Sequence, residues 1–186
     1  LNRSVIISGP PAVGKTTLAK GLASEFGLRY LGGGDILKDM AKEQGFDVSG
    51  DDWWDTPAGM RFLSRRDENP EFDRAVDRRL LESCRGGGVV ITSYTLPWLV
   101  DDAIKIWLDG SHENSAMRMK NRDNMPREEA LVITKHRYDK NKELYKRLYG
   151  FEFGRDGSVF DGIIDTDDLD AEQVMEVAKA LVMRMS

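Results

Sequence analysis

One cysteine, two histidines and no apolar run of membrane length set the first limits on this 186-residue chain. With Cys84 alone, no disulfide can close within the chain, and a reducing cytoplasm is the expected setting. Cys84 is followed by Arg85 and three glycines, and it reads as a structural thiol rather than a nucleophile. His112 and His136 have no partner at metal-ligand spacing, which argues against a zinc centre. No stretch approaches the roughly 20 apolar residues that span a bilayer. No signal peptide is expected ahead of the apolar run that starts at Val5. Strong positive charge is also missing: the net charge is −5, so a dedicated nucleic-acid binder is not expected. Repeats, low-complexity tracts and linker-like segments are absent, and the length suits one core, so residues 1–186 read as a single domain. Hydrophobic residues at 40% and charged residues at 32% fit an ordinary globular protein.

What the chain does have is a regular alternation of short apolar runs and helical patterns. Val5-Ile6-Ile7, closed by Ser8-Gly9, predicts a buried strand. Leu18, Leu22, Ala23 and Phe26 recur at helical spacing over Lys15–Phe26, and Gly27 stops that helix. Residues 28–31 predict a second strand, and a helix then begins at Asp35 with Ile36, Leu37 and Met40 on one face. Residues 46–70 read as polar, irregular chain interrupted by Trp53, Trp54 and Pro57. A helix resumes near Phe72 and ends at Gly86-Gly87-Gly88. Residues 89–91 and 103–108 predict strands three and four; 111–122 and 126–149 predict helices, the second with Pro126 in its first turn. Residues 160–164 predict a fifth strand, and Asp170 is placed as the N-cap of a last helix, Ala171–Met185. This order predicts an α/β, three-layer fold: a five-stranded parallel sheet with helices on both faces. Ligands of such sheets bind beyond the carboxyl ends of the strands.

One motif sits at such an end. Gly9-Pro10-Pro11-Ala12-Val13-Gly14-Lys15-Thr16 fits G-x-x-x-x-G-K-[ST], after a strand and opening a helix, and makes the sheet a P-loop NTPase fold. Glycines let the backbone curl so that successive N–H groups point at phosphate oxygens, and the helix dipole adds attraction for the anion. Lys15 is expected to reach the β- and γ-phosphates of ATP, Thr16 to offer its hydroxyl to Mg²⁺, and Thr17 to complete the cradle. No N-K-x-D guanine motif is present, which disfavours a GTPase.

In order and spacing, Gly9 to Thr16, Gly34-Asp35-Ile36-Leu37, Asp73-Arg74-Ala75-Val76-Asp77-Arg78, Val89-Val90-Ile91 and Tyr149-Gly150 resemble the archaeal-type cytidylate kinases of the nucleoside monophosphate kinase group. The resemblance runs through Asp165-Thr166 and covers nearly the whole chain. It implies a P-loop core, a helical acceptor-binding insert at about 35–85 and a lid at about 112–150. It also implies transfer of the γ-phosphate from ATP–Mg²⁺ to CMP or dCMP. A P-loop kinase for AMP, UMP or another small acceptor, or a nucleotide-binding regulatory protein with weak ATPase activity, are the alternatives. Four positions depart from the family pattern. Thr92-Ser93-Tyr94 stands where an acidic residue and then a phosphate-binding arginine are usual, Lys38 where arginine is usual, Gly32 where serine or threonine is usual, and Leu144 where a lid arginine is usual. These changes bear on the acceptor more than on ATP.

Each candidate has two readings. Asp35 supports magnesium or orients the acceptor, or else it caps a helix. Asp73, Arg74, Asp77 and Arg78, with Lys38 and Tyr94, bind the acceptor; the alternative for the first four is i,i+4 surface pairing. Arg122 and Arg137 resemble lid cations that stabilise the transferring phosphoryl group, Arg118 falls on the donor side and Lys142 on the acceptor side. Lys135, His136, Lys140, Lys146 and Arg147 read as a solvated basic face. Trp53, Trp54 and Trp98 are of a type that stacks on bases, Trp54 being the candidate kept. The partner expected is a small nucleotide, with neither nucleic acid nor membrane, and the chain a monomer or homodimer. Lys15→Ala is expected to lower phosphoryl transfer by about two orders of magnitude or more, with an unchanged circular dichroism spectrum. Asp35→Asn separates its two readings: lost activity at constant melting temperature marks a site residue, lost stability alone a cap.

Overall fold

The computed structural model describes residues 2–48, 58, 59, 61, 62, 64 and 69–186. Five strands, β1 (Val5–Ser8), β2 (Arg29–Gly32), β3 (Val89–Thr92), β4 (Ile104–Asp109) and β5 (Gly162–Asp165), form one all-parallel sheet in the order β2-β3-β1-β4-β5. The helices are α1 (Lys15–Phe26), α2 (Gly33–Glu43), α3 (Pro70–Arg85), α4 (His112–Asp123), α5 (Arg127–Tyr149) and α6 (Ala171–Met185), with a 3₁₀ turn at Leu96–Trp98. This is the P-loop α/β architecture expected from the sequence.

The strand side chains explain the layering. Val5 and Ile7 of β1 point to one face with Val90, Ile104, Ile106 and Leu108, and pack on Leu18 and Leu22 of α1 and Val174, Ala178 and Val182 of α6. Ile6 points to the other face with Val89 and Ile91, and packs on Ile36 and Met40 of α2 and Phe72, Val76 and Leu80 of α3. A strand that alternates direction yet is apolar on both sides is what a sheet covered by helices on both faces requires.

Several boundaries differ from the sequence-based expectation, each for a local reason. Strands two, four and five reach Gly32, Asp109 and Asp165, because Gly32 pairs with Thr92 and Asp109 with Asp165 in the ladder. α2 starts at Gly33 rather than Asp35, so Asp35 lies in its first turn. α3 starts at Pro70, where the Asn69 side chain accepts the Glu71 N–H at 3.0 Å. Pro126 is the N-cap of α5 rather than part of its first turn. Asp170 caps α6 as expected: its carboxylate accepts the Gln173 N–H at 2.8 Å and Gln173 returns an acceptor to the Asp170 N–H at 3.0 Å.

Irregular chain was expected over 46–70, yet residues 58, 59, 61, 62 and 64 are helical. Phe62 is fully buried there, edge-on to Phe46 at 5.4 Å and to Phe72 at 5.0 Å. An aromatic side chain anchored in the second core thus lies within a segment whose composition reads as polar. Trp53, Trp54 and Pro57 lie outside the described residues.

A third cluster sits beyond the sheet. Trp107 of β4, Tyr145 of α5 and Phe153 are buried together, with Tyr94, Trp98, Tyr138, Leu144, Phe151 and Phe160 around them. Trp98 stacks on Phe151 with centroids 4.3 Å apart, so it is part of this core. Leu144 belongs to the same cluster, where a guanidinium would lie among rings. No helix among the described residues is long and apolar enough to cross a membrane. Phe153, with no exposed surface, touches both β4 and α5 in this cluster. Phe153→Ala is expected to cost about 3–5 kcal/mol in urea unfolding.

Candidate active site

The loop between β1 and α1 turns at glycines in conformations that side chains rarely adopt. Gly9 has φ 145° and Gly14 has φ 103°, both in the left-handed half of backbone space. A Cβ on Gly9 would lie 2.2 Å from the Leu108 carbonyl oxygen, so only glycine lets β1 leave the sheet beside β4. Ala12, at φ 59°, bears the same turn as a non-glycine and packs against the α4–α5 hairpin through the cluster of Ala116, Met119 and Ala130. Gly14 caps α1 without a side-chain acceptor, and the first turn holds no acidic residue. The first-turn amides are thus met by no carboxylate of their own helix, and the dipole adds positive potential. Thr16 and Thr17 are exposed in that turn, while Pro10, Pro11 and Val13 are buried beneath it.

Lys15 folds over this loop. Its ammonium donates to the Gly9 carbonyl at 2.9 Å and to the Pro10 carbonyl, and lies 4.7 Å from the centroid of the Tyr94 ring. Burial of that end of the side chain pushes its pKa down, and the nearby Arg137 guanidinium pushes it further, while Tyr94 opposes both. The structure therefore brings Lys15 and the exposed Arg137 of α5 within electrostatic reach. Two cations facing one loop raise each other's energy unless an anion lies between them. Arg122 ends α4, largely exposed, in a bidentate pair with Asp123 at 2.5 and 2.6 Å. Hydrogen bonds from Arg122 hold the Asp123 carboxyl below the usual carboxylate range, with Arg137 contributing. Lys142 lies 5.6 Å over the Tyr138 ring, farther along α5.

On the other side of the loop, the candidate acceptor residues separate. Asp35 is an exposed first-turn residue whose Oδ2 accepts the Gly32 N–H at 2.9 Å, the capping interaction of α2. A Cβ on Gly32 would meet the Tyr30 hydroxyl at 2.5 Å and Thr92 Oγ1 at 3.1 Å, so tyrosine occupies the space a serine there would need. Lys38 follows on the same helix, half-buried. Asp73 and Asp77 point inward from α3, whereas Arg74 and Arg78 are exposed and both donate to Glu71, at 2.8 and 3.4 Å. The four residues therefore present two different faces. Thr92 and Ser93, where a carboxylate was looked for, are buried.

A cleft of about 530 Å³ opens beside the loop, bounded by Gly14, Thr17 and Gly21 of α1, Arg118, Thr166, and Leu169 and Met175 at the start of α6. Arg118 donates to the Thr166 carbonyl at 2.7 Å, and its other terminal nitrogen is buried with no hydrogen-bond partner. Sequence reasoning identified Arg118 but missed Thr166, Leu169 and Met175. Thr166 was discoverable, since it directly follows the carboxyl end of β5, where the Thr166 N–H and hydroxyl both donate to the Asp109 carbonyl. Among the described residues no group of His, Cys, Asp and Glu could cage a metal. Cys84 is buried, and burial pushes its thiol up in pKa, away from nucleophilic chemistry.

Known proteins resemble this chain in sequence and in fold. Residues 5–146 match the AAA domain family. The chain is 34% identical over 179 residues to a cytidylate kinase of Pyrococcus horikoshii, covering 96% of this chain and 87% of that one. It is 32% identical over 181 residues to a cytidylate kinase of Ignicoccus hospitalis, covering 96% and 98%. In fold it is similar to a shikimate kinase from Acinetobacter baumannii in complex with shikimate, with a TM-score of 0.59 at 15% identity over 99% of this chain and 94% of that one.

A half-buried tyrosine supplies a pH test. Burial and the hydrogen bond to Asp77 both raise the Tyr149 phenol pKa above its ordinary value. The unfolded phenol ionises near 10 while the folded one keeps its proton, so the folded state binds more protons above that pH. The contribution is complete below about pH 10 and is lost as pH climbs toward the raised value. Tyr149→Phe is expected to cost about 1–2 kcal/mol at pH 8 and to show a shallower fall in urea midpoint between about pH 9 and 11 than the parent protein.

Proposed function

The chain belongs to the AAA domain family and to the archaeal cytidylate kinases, and from that membership we propose that it passes the γ-phosphate of ATP to CMP or dCMP. The observation that carries the reading is Lys15, folded over a glycine-bent loop that opens a helix with no carboxylate in its first turn. The loop amides and Lys15 hold the triphosphate, with Lys15 leaving the Gly9 and Pro10 carbonyls for phosphate oxygens. The cleft beside Arg118 takes the base and ribose of the donor. Mg²⁺, held by the Thr16 hydroxyl and the phosphates, supplies charge neutralisation when bound. Residues 112–150 act as the lid, and Arg122 and Arg137 bring their charge over the phosphates as it closes, Arg122 exchanging Asp123 for phosphate. The insert at about 35–85 receives the acceptor. Phosphoryl transfer of this kind needs positioning and electrostatic stabilisation, and no covalent intermediate. A cytoplasmic location follows from the two nucleotides it would use.

One observation favours a second reading, a nucleotide-binding regulator with weak ATPase activity: Thr92 and Ser93 hold the end of β3 without a carboxylate. A coupled assay with ATP–Mg²⁺ and CMP, dCMP, UMP and AMP separates the two. Turnover that depends on one acceptor is expected, CMP or dCMP first. Slow ADP release that no acceptor accelerates would establish the regulator instead. In the same assay Arg137→Ala is expected to lower kcat by about 100-fold or more while the Kd for ATP changes little.

A further inference from the structure

We propose that Asp77 is a positioning residue: a buried carboxylate strut that sets the returning end of the α4–α5 hairpin and the acceptor-side helix α3 against the segment carrying Tyr94 beneath Lys15. Four links carry it. The Tyr149 hydroxyl, on the last turn of α5, donates to Asp77 Oδ2 at 2.5 Å. The Thr95 hydroxyl donates to Asp77 Oδ1 at 2.5 Å. Ser93 Oγ accepts the N–H groups of Thr95 and Leu96, each at 3.1 Å, and the Ser93 N–H donates to the Ile7 carbonyl at 3.1 Å, two residues before Gly9. Between Ser93 and Thr95, Tyr94 faces the Lys15 ammonium at 4.7 Å and the Tyr145 ring at 6.2 Å.

Asp77 is only 7% exposed and Thr95 2%, so the bond between them is buried, while the bond to Tyr149 is half-buried. Both carboxylate oxygens already accept a hydroxyl. A group so engaged fixes distances between elements rather than reading the edge of a nucleobase. Arg74 and Arg78, which share its motif, turn outward to Glu71, while Asp77 turns inward and accepts from the hairpin's Tyr149. Movement of Tyr149 is thereby coupled, through one carboxylate, to the residue that flanks the phosphate-binding lysine.

This inference rests on the kinase reading for its kinetic arm and not for its exchange arm. Tyr149→Phe, Thr95→Val and Thr95→Ser are compared with the parent protein for ATP–Mg²⁺ affinity, kcat and KM across CMP, dCMP, UMP and AMP, and hydrogen exchange of residues 127–149 with and without ATP–Mg²⁺. Tyr149→Phe and Thr95→Val are expected to bind ATP–Mg²⁺ within about twofold of the parent and to lower kcat by about tenfold for every acceptor alike. Both are expected to lose the ATP-induced protection of 127–149, and Thr95→Ser, which restores a hydroxyl, to recover it. A kcat that stays at the parent value, a changed ratio between acceptors, or ATP-induced protection as large as in the parent would overturn the strut. If one of the two variants does not fold, the other carries the same test. A parent protein that phosphorylates no acceptor sinks the kinase reading, while the exchange comparison still decides the strut.

Discussion

The close passage of Gly9 under the Leu108 carbonyl is the constraint from which the rest of the site follows. A side chain there would collide with β4, so the chain leaves β1 on a path open to glycine, and that path starts the curl ending at Gly14. Because Gly14 offers no side-chain cap and no acid follows in the first turn, the amides of α1 are left for an external acceptor. Lys15 then has a short choice of partners: the carbonyls of its own loop, the Tyr94 ring, or an anion. The loop and its lysine rest on a sheet that is buried on both faces.

The aromatic cluster plays the complementary part. Trp107 rises from β4, Tyr145 and Tyr138 descend from α5, and Phe151 and Phe153 follow the end of that helix. Such rings hold the hairpin at the edge of the loop through area and edge-to-face contact rather than through charge, so the cations of α5 can remain exposed and face a ligand. Burying Leu144 instead of an arginine serves the same cluster. Arg122 and Arg137, the cations proposed for the phosphates, lie one at the end of α4 and the other in the middle of α5.

A phosphotransferase needs its donor, its acceptor and its cations to come together without water. In the function proposed above, the P-loop and the cleft at Arg118 are assigned to the donor, the helices after β2 and before β3 to the acceptor, and the α4–α5 hairpin to the cations. Asp77 lies where these parts meet, its carboxylate shared between the end of the hairpin and the segment after β3.

The sequence by itself determined the sheet, the order of helices and the phosphate loop, because each rests on short-range pattern: β-branched runs, 3.6-residue spacing, and glycines at fixed offsets from a lysine. Asp170 was legible as a cap for the same reason. What only the tertiary structure decided was which residues meet. That Phe62 is buried between Phe46 and Phe72, that Tyr94 lies under Lys15, that Asp77 faces Tyr149 across 72 residues while Arg74 turns to Glu71, and that Thr166 and Met175 wall a cleft, depend on distances between elements far apart in the chain. Local pattern carries the period of an element but not the rotation that aims each side chain, and that rotation is set by packing against partners the pattern does not name.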